Sequence, residues 1–145
     1  FPSLAIGSYG DNLLNITNAY AVINSNGNIY KPSTIEKIES KTGEIIWENK
    51  FHTKKILDEK VNKKINKLLE KSVSEGTSMA ASINGEKIYG KTGTSDGNRD
   101  LWFIGSINNL TTGVWIGFDS NKPSNLSSGN AAYFWKKFIS NIYDL

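Results

Sequence analysis

The residues whose types could do chemistry are concentrated in one short segment, residues 89–95, which read Tyr-Gly-Lys-Thr-Gly-Thr-Ser. The segment places the ammonium of Lys91 beside a run of hydroxyl side chains. A lysine in this position attracts a carboxylate and favours deprotonation of neighbouring hydroxyls. Gly93 removes a side chain where a ligand must approach the backbone. The composition of the segment therefore indicates recognition of an anionic acyl substrate.

The segment is predicted to end a strand, and the alternation of a strand decides where its side chains lie. Lys91 and Gly93 fall on one face, and Thr92 and Thr94 fall on the other. Local twist or a bulge would turn the two threonine hydroxyls towards a carboxylate at the strand edge. A backbone N–H just past the glycine can donate to a developing oxyanion, which contributes roughly 3–4 kcal/mol in acyl-transfer sites. The tripeptide Lys-Thr-Gly alone favours a simpler interpretation, a surface strand that carries an incidental lysine, because three common residues often recur by chance.

Other chemistries are restricted by composition. The chain of 145 residues has no cysteine, which excludes thiol chemistry and cysteine-based metal sites. His52 is the only histidine, and its surroundings are typical of an exposed, inert side chain. The net charge is +3, with lysines scattered along the chain, and nucleic-acid binding requires a clustered basic face. We therefore expect no metal, no cofactor and no nucleic-acid partner.

Apolar spacing predicts three helices, at 11–23, 56–74 and 130–143. Asp11 is expected to cap the first of them. The residues expected to be buried are Leu13, Leu14, Ile16, Thr17, Tyr20 and Ala21 in the first helix, Leu57, Val61, Ile65, Leu68 and Val73 in the second, and Tyr133, Phe134, Phe138, Ile139 and Ile142 in the third.

Extended segments are predicted in two groups. The runs 29–38 and 44–51, joined by a glycine-containing turn, predict an outlying β-hairpin. The runs 86–94, 101–107 and 111–118 have short connections, which predict a three-stranded antiparallel meander. The last two runs are apolar at nearly every position, so cover on both faces is expected. The predicted class is α/β (α+β), with a sheet packed against helices.

Several segments, taken in order, carry a family resemblance. Residues 90–95, Gly-Lys-Thr-Gly-Thr-Ser, resemble the Lys-Thr-Gly signature of serine penicillin-recognising enzymes. Residues 98–105 resemble the "NRDAWFVG" stretch that follows it, and residues 113–119 resemble the "GVWVGYD" strand. Residues 2–7 and 14–21 are similar to "PSLALG" and "PLEMTNAYA" of the same family. The chain thus resembles the C-terminal part of the transpeptidase domain of a class A, bifunctional penicillin-binding protein.

The resemblance implies roles for individual residues. Lys91 would lie in the catalytic cleft and contact the serine of a Ser-x-Asn motif. Thr92 and Thr94 would bind the carboxylate of a D-Ala-D-Ala donor or of a β-lactam, and the amide of Thr94 would form half of an oxyanion hole. Gly93 and Ser95 would complete the substrate-binding strand. Arg99 and Asp100 are expected to fix the loop that leads into the next strand.

The nucleophile that such an enzyme requires is not found in the sequence. Acylation needs a serine with a lysine three residues later, and no serine of the chain has one. Ser-x-Asn occurs at 82–84, 106–108 and 128–130, and we interpret all three as chance. Residues 1–145 are therefore expected to be the C-terminal portion of one transpeptidase domain, inactive alone, with the nucleophile and any membrane anchor or glycosyltransferase domain upstream.

Partners and location follow from the same resemblance. The complete protein is expected to act on peptidoglycan stem peptides at the extracytoplasmic face of the bacterial membrane and to be blocked by β-lactams. The alternatives are a β-lactamase or D,D-carboxypeptidase relative, and a non-catalytic binding or sensor module on the same fold. An unpaired sheet edge predicts self-association or pairing with a neighbouring strand.

Overall fold

The computed structural model describes residues 2–7 and 9–145. The helices are α1 (Leu13–Asn24), α2 (Glu59–Ser74) and α3 (Ser128–Tyr143), and none of the helices within the described residues is long and apolar enough to cross a bilayer. The strands are β1 (Asn28–Tyr30), β2 (Lys37–Glu39), β3 (Ile45–Glu48), β4 (Thr53–Lys55), β5 (Tyr89–Thr94), β6 (Asp100–Ile107) and β7 (Leu110–Gly117). Short 3-10 helices occupy Pro2–Ile6, Met79–Ala81 and Asp96–Asn98. Phe1 and Ser8 lie outside the described residues.

The central sheet has the order β5-β6-β7 and is antiparallel throughout, which confirms the predicted meander. The prediction that β5 begins at residue 86 was wrong, because the strand begins at Tyr89. Tyr89 pairs with Ser106, and β6 ends one residue later at a turn in which Asn108 has a φ of 50°. Residues 86 and 87 therefore lie beyond the end of β6 and have no residue of that strand opposite them.

One face of the sheet forms the main hydrophobic core with α3. Phe103 on β6 and Trp135 on α3 are fully buried, and their rings meet edge to face at 5.1 Å between centroids. Gly90 and Gly105 are directly paired and leave the space that the Phe103 ring fills. The core thus lies directly behind the strand that carries Lys91.

The packing face of α3 differs from the predicted one. The structure buries Ala131, Ala132, Trp135 and Ile139 against the sheet, a spacing of three and four residues typical of one helix face. Of the residues predicted to be buried, only Ile139 is; Tyr133, Phe134, Phe138 and Ile142 are about half exposed. The prediction placed the large aromatic side chains in the core because of their apolar area. In the structure the small residues Ala131 and Ala132 face the sheet instead, and their size lets the helix lie close to it.

The buried face of helix α2 differs from the predicted one, with Asn62 buried in place of Val61. Val61 and Leu68 are exposed, while Asn62 is buried together with Val73. The side-chain nitrogen of Asn62 donates to the carbonyl of Ile23 at 3.0 Å, which ties α2 to the end of α1. This tertiary hydrogen bond gives the buried amide nitrogen of Asn62 a partner, whereas its side-chain oxygen has none among the described residues.

Helix α1 covers the opposite face of the sheet. A Cβ atom at Gly113 on β7 would collide with Leu13 and Thr17, so the glycine allows close helix–sheet contact. The predicted cap was wrong by one residue, since Asn12 accepts the N–H of Asn15 at 2.9 Å and Asp11 lies outside the helix. Of the predicted face, Leu14 is exposed.

The segment between α1 and α2 forms two small antiparallel pairs. Strands β2 and β3 form the predicted outlying hairpin, and their side chains are exposed. Residues 29 and 30 were predicted to belong to the same hairpin, but β1 instead pairs with β4, a strand that was not predicted, in a separate two-stranded sheet. Strand β7 is only half-buried, so the expectation of complete cover holds for β6 and not for β7.

Candidate active site

Strand β5 is an edge strand, and its outer edge is where the sequence predicted the site. The strand alternates as expected, with Lys91 exposed and Thr92 buried. Thr92 lies opposite Phe103, yet its N–H donates outward to the hydroxyl of Ser78 at 3.1 Å. In an antiparallel ladder the backbone groups of every second residue point the same way. The N–H and C=O of Thr94 therefore also point away from β6.

A chain of hydroxyl groups lies along the outer edge of β5, beside Thr92. The hydroxyls of Ser72 and Ser78 are 2.9 Å apart, and Ser78 is fully buried. Ser78 donates to the hydroxyl of Thr92 at 3.5 Å, and Thr92 donates to the hydroxyl of Thr77 at 3.2 Å. These bonds join the C-terminal end of α2 to the strand. They satisfy the buried Thr92 side chain and hold the edge of β5 in place.

The ammonium group of Lys91 is held at the same edge by neutral oxygen atoms. Its Nζ donates to the Thr77 hydroxyl at 3.0 Å and to the carbonyl of Thr92 at 2.9 Å. The Thr92 hydroxyl lies 3.4 Å away. No salt bridge to Lys91 is found among the described residues, so its positive charge is available to an incoming anion.

Gly93 and Thr94 complete the exposed end of the strand. A Cβ atom at Gly93 would come no closer than 3.4 Å to Trp102, which is ordinary van der Waals contact. The protein interior therefore does not require glycine here, unlike Gly90 or Gly105.

The turn that follows β5 is fixed by Asp100. Its carboxylate accepts hydrogen bonds from the Ser95 hydroxyl and from the indole N–H of Trp115, both at 3.0 Å. Ser95 also accepts the N–H of Asp100 at 2.8 Å. Arg99 donates to the carbonyl of Asn121 at 2.6 Å. The prediction that Arg99 and Asp100 fix this loop is confirmed.

Replacing Asp100 with alanine is expected to loosen this turn. The Ser95 hydroxyl and the Trp115 indole each lose an ionised acceptor, so we expect the free energy of unfolding to fall by about 1.5–3 kcal/mol. Urea denaturation measures the change. Asp96→Ala in the same turn is the matched control, because Asp96 is exposed. Equal unfolding midpoints for the two variants would contradict the role assigned to Asp100.

The structure brings together some predicted site residues and adds others. Lys91, Thr92 and the outward amide of Thr94 share one edge, whereas the Ser95 hydroxyl is turned into the following turn. Thr77 and Ser78 were not predicted as site residues. The signal available in the sequence was Glu75-Gly76-Thr77, which ends the helical pattern. A Cβ at Gly76 would lie 2.9 Å from Ser72, so the chain turns tightly there, and the hydroxyls of Thr77 and Ser78 reach Thr92 on β5.

The chain matches one protein family along most of its length. Residues 2–134 match the penicillin binding protein transpeptidase domain. Penicillin-binding protein 1A of Aquifex aeolicus is 37% identical over 120 residues, which cover 83% of this chain and 16% of the relative. Penicillin-binding protein 1A of Clostridium tetani is 34% identical over 143 residues, covering 92% of this chain and 18% of the relative. The chain thus spans less than a fifth of the length of these relatives.

Solved structures agree on the fold. Penicillin-binding protein 1A from Haemophilus influenzae superimposes with a TM-score of 0.85 at 19% identity, over 98% of this chain and 28% of the other. PonA1 from Mycobacterium tuberculosis, solved in complex with penicillin V, gives the same TM-score and identity over 98% of this chain and 41% of the other. The resemblance read from the sequence is confirmed, and the chain belongs to the family of penicillin-binding protein transpeptidase domains.

Proposed function

We propose that the chain is the C-terminal portion of the catalytic domain of a peptidoglycan D,D-transpeptidase and contributes its substrate-binding strand. The observation that carries the proposal is the edge of β5, where an ammonium with no salt bridge among the described residues and the outward amide of Thr94 lie on one edge strand. The match of residues 2–134 to transpeptidase domains supports it.

In this proposal the reaction is serine acyl transfer in two steps. A serine hydroxyl, expected from the upstream part of the domain, attacks the carbonyl of the penultimate D-Ala, and the terminal D-Ala leaves as an amine. The amino group of a second stem peptide then attacks the ester and releases the serine. Each tetrahedral intermediate carries an oxyanion, to which the amide of Thr94 donates.

The other residues of the strand bind and place the donor. Lys91 attracts the terminal carboxylate, and the hydroxyl of Thr94, which is exposed, is able to donate to it. A contact between Thr92 and the carboxylate requires its hydroxyl to leave Thr77, so that role stays a prediction. Gly93 keeps the approach to the backbone open, and Ser95 holds the adjoining turn.

The proposal extends to inhibitors and location. A β-lactam presents a carboxylate and a strained amide in place of the donor, so we infer that the complete protein is acylated by penicillins. Its peptide substrate places the enzyme at the extracytoplasmic face of the membrane, anchored through an upstream segment. The free edge of β7 is expected to pair with another strand, from the same protein or from a second copy.

Release of D-alanine tests this function. A longer protein that includes the upstream part of the domain is incubated with a peptide ending in D-Ala-D-Ala and an amine acceptor, and both free D-alanine and the cross-linked product are measured. Formation of both supports a transpeptidase. D-alanine without cross-linked product would indicate a carboxypeptidase, rapid hydrolysis of penicillin would indicate a β-lactamase, and no reaction by the folded protein would indicate a non-catalytic module.

A further inference from the structure

The loop between α2 and β5 places an exposed hydroxyl, that of Thr77, against the ammonium group of Lys91. Thr77 lies outside β5 and fourteen residues before Lys91, yet its hydroxyl accepts from the Lys91 Nζ at 3.0 Å. It also accepts from the Thr92 hydroxyl at 3.2 Å. Two donors therefore converge on one oxygen atom at the mouth of the site.

The remaining contacts of Lys91 show why this oxygen matters. A lysine side chain has four rotatable bonds and loses considerable rotamer freedom when it is fixed in one position. The strongest partners of its Nζ are the Thr77 hydroxyl and the carbonyl of Thr92. The carbonyl belongs to the backbone and is not removed by substitution. Of the two side-chain hydroxyls that accept from the ammonium, that of Thr77 is nearer than that of Thr92.

The position of Thr77 is itself rigidly determined. Ser78, the next residue, is fully buried and is bonded to both Ser72 and the N–H of Thr92. Gly76, the preceding residue, packs against the backbone of Ser72 so closely that no side chain fits. The hydroxyl of Thr77 is therefore presented from a fixed turn and is suited to hold a flexible partner.

We propose that Thr77 is a positioning residue for Lys91, which it holds at the β5 edge beside the acyl-binding amide of Thr94. The proposal rests on the proposed transpeptidase function for its catalytic consequence. The claim that Thr77 orders the Lys91 side chain is independent of that function, because the order of the side chain can be measured on this chain alone.

The first test observes the lysine ammonium groups by NMR. In 15N-labelled protein at low temperature, a lysine ammonium gives a sharp signal when hydrogen bonds slow its exchange with water, and Lys91→Arg identifies the signal of Lys91. We expect Thr77→Val to abolish that signal and Thr77→Ser to retain it. Thr53→Val, an equivalent change on exposed strand β4, should leave it unaltered. No Lys91 signal in the unsubstituted chain, or an unchanged one in Thr77→Val, would overturn the proposal.

The second test measures penicillin acylation in the longer protein that contains the nucleophile. Loss of the one hydroxyl is expected to slow acylation by Thr77→Val about tenfold, and Thr77→Ser should restore it. Equal melting temperatures exclude a folding defect as the cause. Unaltered acylation by Thr77→Val would overturn the catalytic part of the proposal. If the unsubstituted longer protein is not acylated at all, the transpeptidase function fails instead, and the NMR signal alone decides the role of Thr77.

Discussion

Gly105→Ala is expected to destabilise the chain by roughly 3 kcal/mol, which is a large fraction of the stability of a small domain. The added methyl group would lie 2.5 Å from the Phe103 ring and 2.9 Å from the Trp135 ring. Both rings are fully buried and pack against each other. Neither can move aside without disturbing the contact between β6 and α3, so the core must open.

Gly93→Ala is the matched control for this change. It adds the same methyl group to a neighbouring strand, where the nearest atom of Trp102 is at an ordinary contact distance of 3.4 Å. Its effect on the free energy of unfolding should remain within about 0.5 kcal/mol. Urea unfolding followed by tryptophan fluorescence compares the two variants. Equal unfolding midpoints for Gly105→Ala and Gly93→Ala would contradict the claim that the core has no room for a methyl group at residue 105.

Lys91→Met is expected to have the largest effect on chemistry. The substitution keeps a long apolar stem and removes the only ammonium at the β5 edge within the described residues. Because electrostatic stabilisation of an acyl-transfer transition state by a single group is worth about a hundredfold or more in rate, acylation of the longer protein by penicillin should slow by about that factor.

The control for Lys91→Met is Lys87→Met, a few residues earlier and exposed. It removes the same charge from the chain without touching the edge of β5, so its acylation rate should equal that of the unsubstituted protein. Stopped-flow measurement of the acylation rate constant compares the two. A comparable rate for Lys91→Met and Lys87→Met would remove Lys91 from the proposed site.

The order and type of the main elements could be predicted from the sequence because each has a strong local signal. The apolar runs of β6 and β7 and their short connection specify a meander without reference to the rest of the chain. Burial was predicted less well, because it depends on partners that are distant in sequence. Asn62 is buried where its side chain donates to the carbonyl of Ile23, and Ala131 and Ala132 are buried where α3 lies close to the sheet. The polarity of these residues predicts neither result.

In the candidate site, the residues that are consecutive in sequence were predicted, and those brought together by folding were not. The segment 89–95 was recognisable because its residues are consecutive, and strand alternation correctly placed Lys91 and Thr92 on different faces. Thr77 and Ser78 were missed because their relation to β5 exists only after α2 has folded back against the strand. Ser95 was predicted to belong to the substrate-binding strand, and the bond from its hydroxyl to Asp100 was not predicted, because it depends on turn geometry that only the folded chain supplies.

Covalent labelling by a fluorescent penicillin shows whether the chain supplies the substrate-binding edge of an enzyme whose nucleophile lies upstream. The folded chain of residues 1–145 and a longer protein that includes the upstream part of the transpeptidase domain are incubated with the reagent and separated under denaturing conditions. We expect a fluorescent band for the longer protein alone, because residues 1–145 contain no Ser-x-x-Lys nucleophile. Labelling of residues 1–145 alone, or no labelling of the longer protein when it is shown to be folded, would contradict this expectation.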